Sequence, residues 1–153
     1  MYEKLLSLYL FIIFSIIAYQ DIKKYIIPHR LLIALITPVP FIYINNSFNG
    51  YDLLAPVVMF MLFLIPYLIG QIAAGDIKLT MATSLWIGLN ENLIDYIILT
   101  FLLGGILSAT ILLFRYIPIK IQKRPLILQK DNGLPYGVPL SIAGFIIIIF
   151  NFG

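Results

Sequence analysis

From Tyr96 to Phe114 the chain carries no charged side chain, and the apolar run around it extends from Leu93 to Tyr116 with only Asp95 and Arg115 as interruptions. A bilayer crossing takes about 20 such residues, so a helix this long and this apolar belongs in lipid. Similar runs occur at about Leu5 to Tyr19, Pro28 to Ile44, Leu53 to Gly70, Ile77 to Leu89 and Val138 to Phe150. With 61% hydrophobic and 11% charged residues, and a mean hydropathy of +1.02, the 153 residues cannot wrap a globular core in a polar surface. The alternation of a membrane β-barrel is absent from the sequence. The expected fold is all-α: one polytopic membrane helix bundle spanning 1–153, with about six transmembrane helices.

The individual spans carry further expectations. The first run is similar to a signal peptide, but it lacks a small-x-small cleavage site and has Glu3 beside Lys4, so it reads as a retained span. Pro28 suits the first turn of span two, and Pro38 and Pro40 should kink that span or end it early. Span four is short for a crossing and requires a place inside the bundle, a locally thinned bilayer, or a start within the membrane. Trp86 is expected a few residues short of the far interface, where amphipathic rings are favoured. Gly104, Gly105, Ser108 and Ala109 give span five a face for close packing.

Six spans place Lys23, Lys24, Arg30, Lys78, Arg115, Lys120, Lys123, Arg124 and Lys130 on one side of the membrane and leave Lys4 on the other, with Glu3, Asp52, Glu91 and Asp95. Basic residues favour the cytoplasm, which predicts a plasma-membrane protein with both termini outside. The basic residues flank apolar spans instead of forming a polar surface, so nucleic acid is not an expected partner. No Cys and a single His, with no cluster of acids, speak against disulfides, thiolate chemistry and a structural metal. No cofactor is expected.

Among only seven acids, two stand at apolar boundaries. Asp21 follows the first run, and Asp76 sits among small residues in Gly70-Gln71-Ile72-Ala73-Ala74-Gly75-Asp76-Ile77-Lys78-Leu79. Acids beside hydrocarbon are costly and usually functional. The topology brings both to the cytoplasmic edge. Two carboxylates in contact do not both ionise cheaply, so the pair shares a proton and titrates as a unit. Such a pair can activate a water against a peptide carbonyl, one carboxylate as base and the other polarising the carbonyl. The plainer alternative is that the acids cap helices and neutralise Lys23, Lys24 and Lys78. Gly75 and Ala74 allow a close approach to Asp76. His29 is a proton carrier or an interfacial residue; Lys78 steadies the site or reaches to headgroups; Tyr136 and Pro135 line the site or anchor the last span. Asp52, Glu91 and Asp95 fall on the opposite face.

Two stretches resemble the motifs of the type IV prepilin peptidases, membrane aspartic proteases. The first is Asp21-Ile22-Lys23-Lys24-Tyr25-Ile26-Ile27-Pro28-His29, with His29 where the family usually has Asn. The second is Ala73-Ala74-Gly75-Asp76-Ile77-Lys78-Leu79, with Ala73 in place of the first Gly of Gly-x-Gly-Asp. Leu134-Pro135-Tyr136-Gly137-Val138-Pro139-Leu140 is similar to the family's Pro-Tyr segment before its final helix. The chain looks most like the short form of tight-adherence (Flp) pilus systems; archaeal preflagellin peptidases share both motifs, and presenilin-like proteases are more distant. The resemblance implies that Asp21 and Asp76 are the catalytic pair and that Ala73, Gly75, Lys78, Pro28, His29 and Tyr136 surround it. It implies a prepilin-like membrane protein as substrate, cut between a basic cytoplasmic leader and an apolar helix. Longer relatives carry an N-terminal methylating domain with paired cysteines; its absence here implies leader cleavage without methylation. The rival readings are a non-catalytic assembly factor of a pilus or secretion system and a small transporter using the acids as a proton relay.

Overall fold

The computed structural model describes residues 2–45, 50–116 and 135–152. Among these residues the chain forms α1 (Tyr2–Lys24), α2 (His29–Ile36), α3 (Val39–Asn45), a 3-10 helix at Gly50–Leu54, α4 (Ala55–Leu68), α5 (Ala74–Ile87), α6 (Glu91–Tyr116) and α7 (Gly137–Phe152). The long polar stretch of the sequence from Ile117 to Asn132, with Lys120, Lys123, Arg124, Lys130 and Asp131, lies outside the described residues. Among the described residues three segments are long and apolar enough to cross a membrane: Lys4–Lys24, Gly50–Leu68 and Glu91–Phe114. His29–Ile44 and Gly137–Phe150 are shorter apolar helices.

The outside of the bundle is apolar. Leu5, Leu8, Phe11 and Ile12 are exposed on α1, and Leu10, Ile13, Phe14, Ile17 and Asp21 form its buried face at helical spacing. Water would not tolerate that exterior over so many helices; lipid does.

The fourth apolar run occupies the middle of this arrangement. α5 packs against α2, α4, α6, α7 and the 3-10 helix. Its short length is thus matched by a place inside the bundle, one of the alternatives its sequence left open. Its end is fixed from the side opposite Asp76: the Asp52 carboxylate accepts the Leu89 N–H at 2.9 Å.

The proline pair breaks the second run into α2 and α3 at Thr37 and Pro38. Pro38 has no N–H to offer the Ala34 carbonyl, which instead accepts the Tyr9 hydroxyl at 2.7 Å. The next carbonyl, Leu35, accepts the Trp86 indole N–H at 2.8 Å. In lipid a broken helix survives when neighbouring helices satisfy its backbone in this way. Trp86 is therefore not an interfacial ring. It is 2% exposed in the core, and the expectation from its place near the end of a span is corrected: its N–H is satisfied by a proline-broken helix and not by headgroup water. Trp86→Phe is expected to destabilise the protein by about 1–3 kcal/mol, the cost of a buried carbonyl left without its donor, read as a lowered Tm in detergent.

Candidate active site

Two chain reversals build the site. At the first, α1 ends with Tyr25 in the left-handed region (φ 52°), and its N–H closes onto the Asp21 carbonyl at 2.9 Å. Glycine usually fills this position, and a tyrosine there stores backbone strain of the kind that collects at functional sites. The chain then runs extended through Ile27, which is buried, to Pro28, the N-cap of α2 (φ −69°, ψ 137°). At the second, α4 ends on Gly70 (φ 78°), with Gly70 N–H to the Tyr67 carbonyl and Gln71 N–H to the Pro66 carbonyl, both 2.9 Å. This paired closure needs the positive φ that glycine supplies. Ala73 follows as the N-cap of α5, with φ −80° and ψ 152°, a conformation alanine adopts freely. Its backbone does not require the glycine usual in the motif.

Asp76 lies in the first turn of α5, and its Oδ2 accepts the Ala73 N–H at 3.2 Å. It caps its own helix, as the plainer reading held, and it also faces the cavity described below. Asp21, in the last turns of α1, is held from across the bundle. Its Oδ2 accepts the Gly137 N–H at 2.8 Å, and the Val138 N–H, which bonds the Pro135 carbonyl at 3.3 Å, is close enough to favour the charged carboxylate. The first free N–H of α7 thus finds its acceptor on α1. A Cβ on Gly137 would come within 2.8 Å of the Asp21 Cγ and Oδ2. Only glycine lets α7 start so close to the acid.

Asp21 and Asp76 are 4% and 5% exposed, and both line one cavity of about 470 Å³. They are near enough for the charge of Asp21 to act on Asp76. Gly75, Ala73, Lys78, His29 and Tyr136 line the same cavity, together with Tyr25, Ile26, Ile27, Gly70, Gln71 and Ile72. Pro28 is not among the lining residues and serves to start α2. Gly75 rests against Ile27, which a Cβ would meet at an ordinary 3.5 Å; the close neighbour is the chain's own Ile27. Sequence reasoning passed over Gly137 and Tyr25. Gly137 could have been noticed from its place beside the Pro-Tyr pair, whereas nothing in the sequence marks Tyr25 as left-handed.

An all-α bundle with an apolar exterior and two buried carboxylates from remote segments on one cavity is a membrane-type helix bundle with an acidic site. A family model described as the type IV leader peptidase family matches residues 8–113. The chain belongs to that family, a family of membrane hydrolases. The matched segment contains both Asp21 and Asp76 and ends before α7. No curated protein and no solved structure matches the chain.

Proposed function

We propose that the protein is an endopeptidase that removes the basic leader of type IV prepilin-like membrane proteins, with Asp21 and Asp76 sharing one proton and activating one water. The observation that carries this reading is that two acids, far apart in sequence, line the same cavity. The charged carboxylate takes a proton from the water as it attacks the scissile carbonyl, and the protonated one donates to the carbonyl oxygen. The proton belongs to the pair. The Gly137 N–H holds Asp21 in place, and the Ala73 N–H holds Asp76. Positioning of this kind is most of what a small acid pair needs in order to act on a bound strand.

In this reading the bundle crosses the plasma membrane six times, with the site at the cytoplasmic edge and both termini outside, as the distribution of Lys and Arg favours. Water enters from the cytoplasm, and the substrate helix lies against the apolar exterior. In this reading the chain acts in a tight-adherence type of pilus system. The test is to express it with a prepilin-like protein and follow the shortened product on a gel. Absence of any shortening, with both proteins folded in the membrane, would overturn the reading.

The transporter reading draws on one observation, a set of buried hydroxyls beyond Asp76. Thr80, Thr83 and Ser84, however, each donate to a carbonyl of α5 itself, which is the usual fate of hydroxyls in membrane helices. Proton flux in liposomes that disappears in Asp21→Asn and Asp76→Asn would favour transport.

A further inference from the structure

The interior behind Asp76 carries hydroxyls on two facing helices. On α5, Asp76, Thr80, Thr83 and Ser84 are all buried, and their spacing puts them on one helical face. On α6, Tyr96 and Thr100 are buried one turn apart. Membrane threonines and serines commonly bond the carbonyl of the preceding turn, as Thr83, Ser108, Thr110 and Ser141 do here. Thr100 does not: its Oγ1 is fully buried and has no hydrogen-bond partner among the described residues, and the same holds for the Tyr96 hydroxyl. The Tyr96 hydroxyl is nonetheless close enough to interact with the Thr83 and Thr100 hydroxyls, and to feel the charge of Asp76. Hydroxyls that face one another without direct hydrogen-bonding geometry are typical partners of an internal water, which needs two to four polar groups. Thr83 has given its proton to the Leu79 carbonyl at 2.9 Å and keeps its lone pairs for an incoming donor.

We propose that Tyr96, Thr100 and Thr83 hold an internal water between α5 and α6, and that Tyr96 acts through this cluster as a positioning residue on the interior side of Asp76. The water site stands independently of the leader-peptidase reading; its bearing on cleavage rests on that reading. Other titratable groups also face the Asp76 surroundings: Asp21 from α1, Tyr25 after it, His29 from α2, Lys78 from α5 and Tyr136 ahead of α7. α4 has only Tyr67, which is 41% exposed, and α7 has none. None of these is altered by substitutions at positions 96 and 100.

The test uses the full chain in lipid nanodiscs and a hydrophobic carbodiimide, which modifies protonated buried carboxyls. Modification of the Asp76 peptide is followed by mass spectrometry across pH. Tyr96→Phe and Thr100→Val are each expected to move the midpoint by about half a pH unit or more, while Thr100→Ser keeps the parental midpoint. An unchanged midpoint in a folded Tyr96→Phe protein overturns the proposal. If that variant does not fold, the Val and Ser pair at position 100 decides, equal midpoints overturning it. A shifted midpoint in a chain that cleaves no leader leaves the cluster standing and removes the peptidase reading; where cleavage occurs, its pH profile shifts with the labelling.

Discussion

Asp21→Asn and Asp76→Asn are each expected to reduce leader cleavage by about 10³-fold or more, with the double variant falling no further. Asn keeps the size of the side chain and one acceptor oxygen, so Asp21→Asn can still receive the Gly137 N–H and Asp76→Asn the Ala73 N–H. What it removes is the ionisable group that the proposed mechanism needs to share a proton. General acid–base catalysis contributes about 10² to 10⁴-fold, and residues that act as a unit lose their effect together when either is changed. A gel assay with a prepilin-like substrate reads the loss. Unchanged melting of both variants shows that chemistry, and not folding, has been removed. Undiminished processing in either variant would mean that the pair is structural only.

Gly137→Ala is expected to be nearly as damaging, although it touches no charge. A methyl group there would sit 2.8 Å from the Asp21 Cγ and Oδ2 and 3.1 Å from its Cβ. These are atoms of a buried carboxylate held by the Gly137 N–H itself, with little freedom to withdraw. Either α7 backs away and releases Asp21, or Asp21 rotates out of the cavity. Cleavage should fall by about 10- to 100-fold, consistent with displacing a positioned group by a fraction of an ångström. Overpacking should also lower stability by about 1–3 kcal/mol, visible in Tm. Gly105→Ala is the comparison, because a Cβ there meets nothing within 4 Å; it should leave both rate and Tm near the parent. Equal, parental activity in the two alanine variants would show that the α7 contact does not position Asp21.

The sequence made the two acids legible because hydrocarbon on either side leaves few reasons for a carboxylate. The proline pair likewise announced the break between α2 and α3. Other features were hidden for a physical reason. Exposed Phe11 and buried Phe14 are the same residue on the same helix, and lipid accepts what a core accepts, so composition cannot tell the two sides apart. α5 reverses the usual sign of the pattern, with Asp76, Thr80 and Thr83 on its buried face. Trp86 shows the same ambiguity: near the end of an apolar run a tryptophan suggests an interface, whereas its partner is the Leu35 carbonyl of a broken helix remote in sequence. The Gly137 contact spans most of the chain, and no local spacing encodes it. The resemblance to prepilin peptidases rested on short motifs around the acids, and the family match over residues 8–113 covers those motifs.

The most direct test of the shared-water account is a single turnover of the purified protein in liposomes, with a prepilin-like substrate in water enriched in oxygen-18. The account predicts one heavy oxygen in the new terminal carboxylate of the released leader, none in Asp21 or Asp76, and no product from either Asn variant. Heavy oxygen appearing in one of the two aspartates, or labelled leader released by a variant lacking one of them, would contradict it.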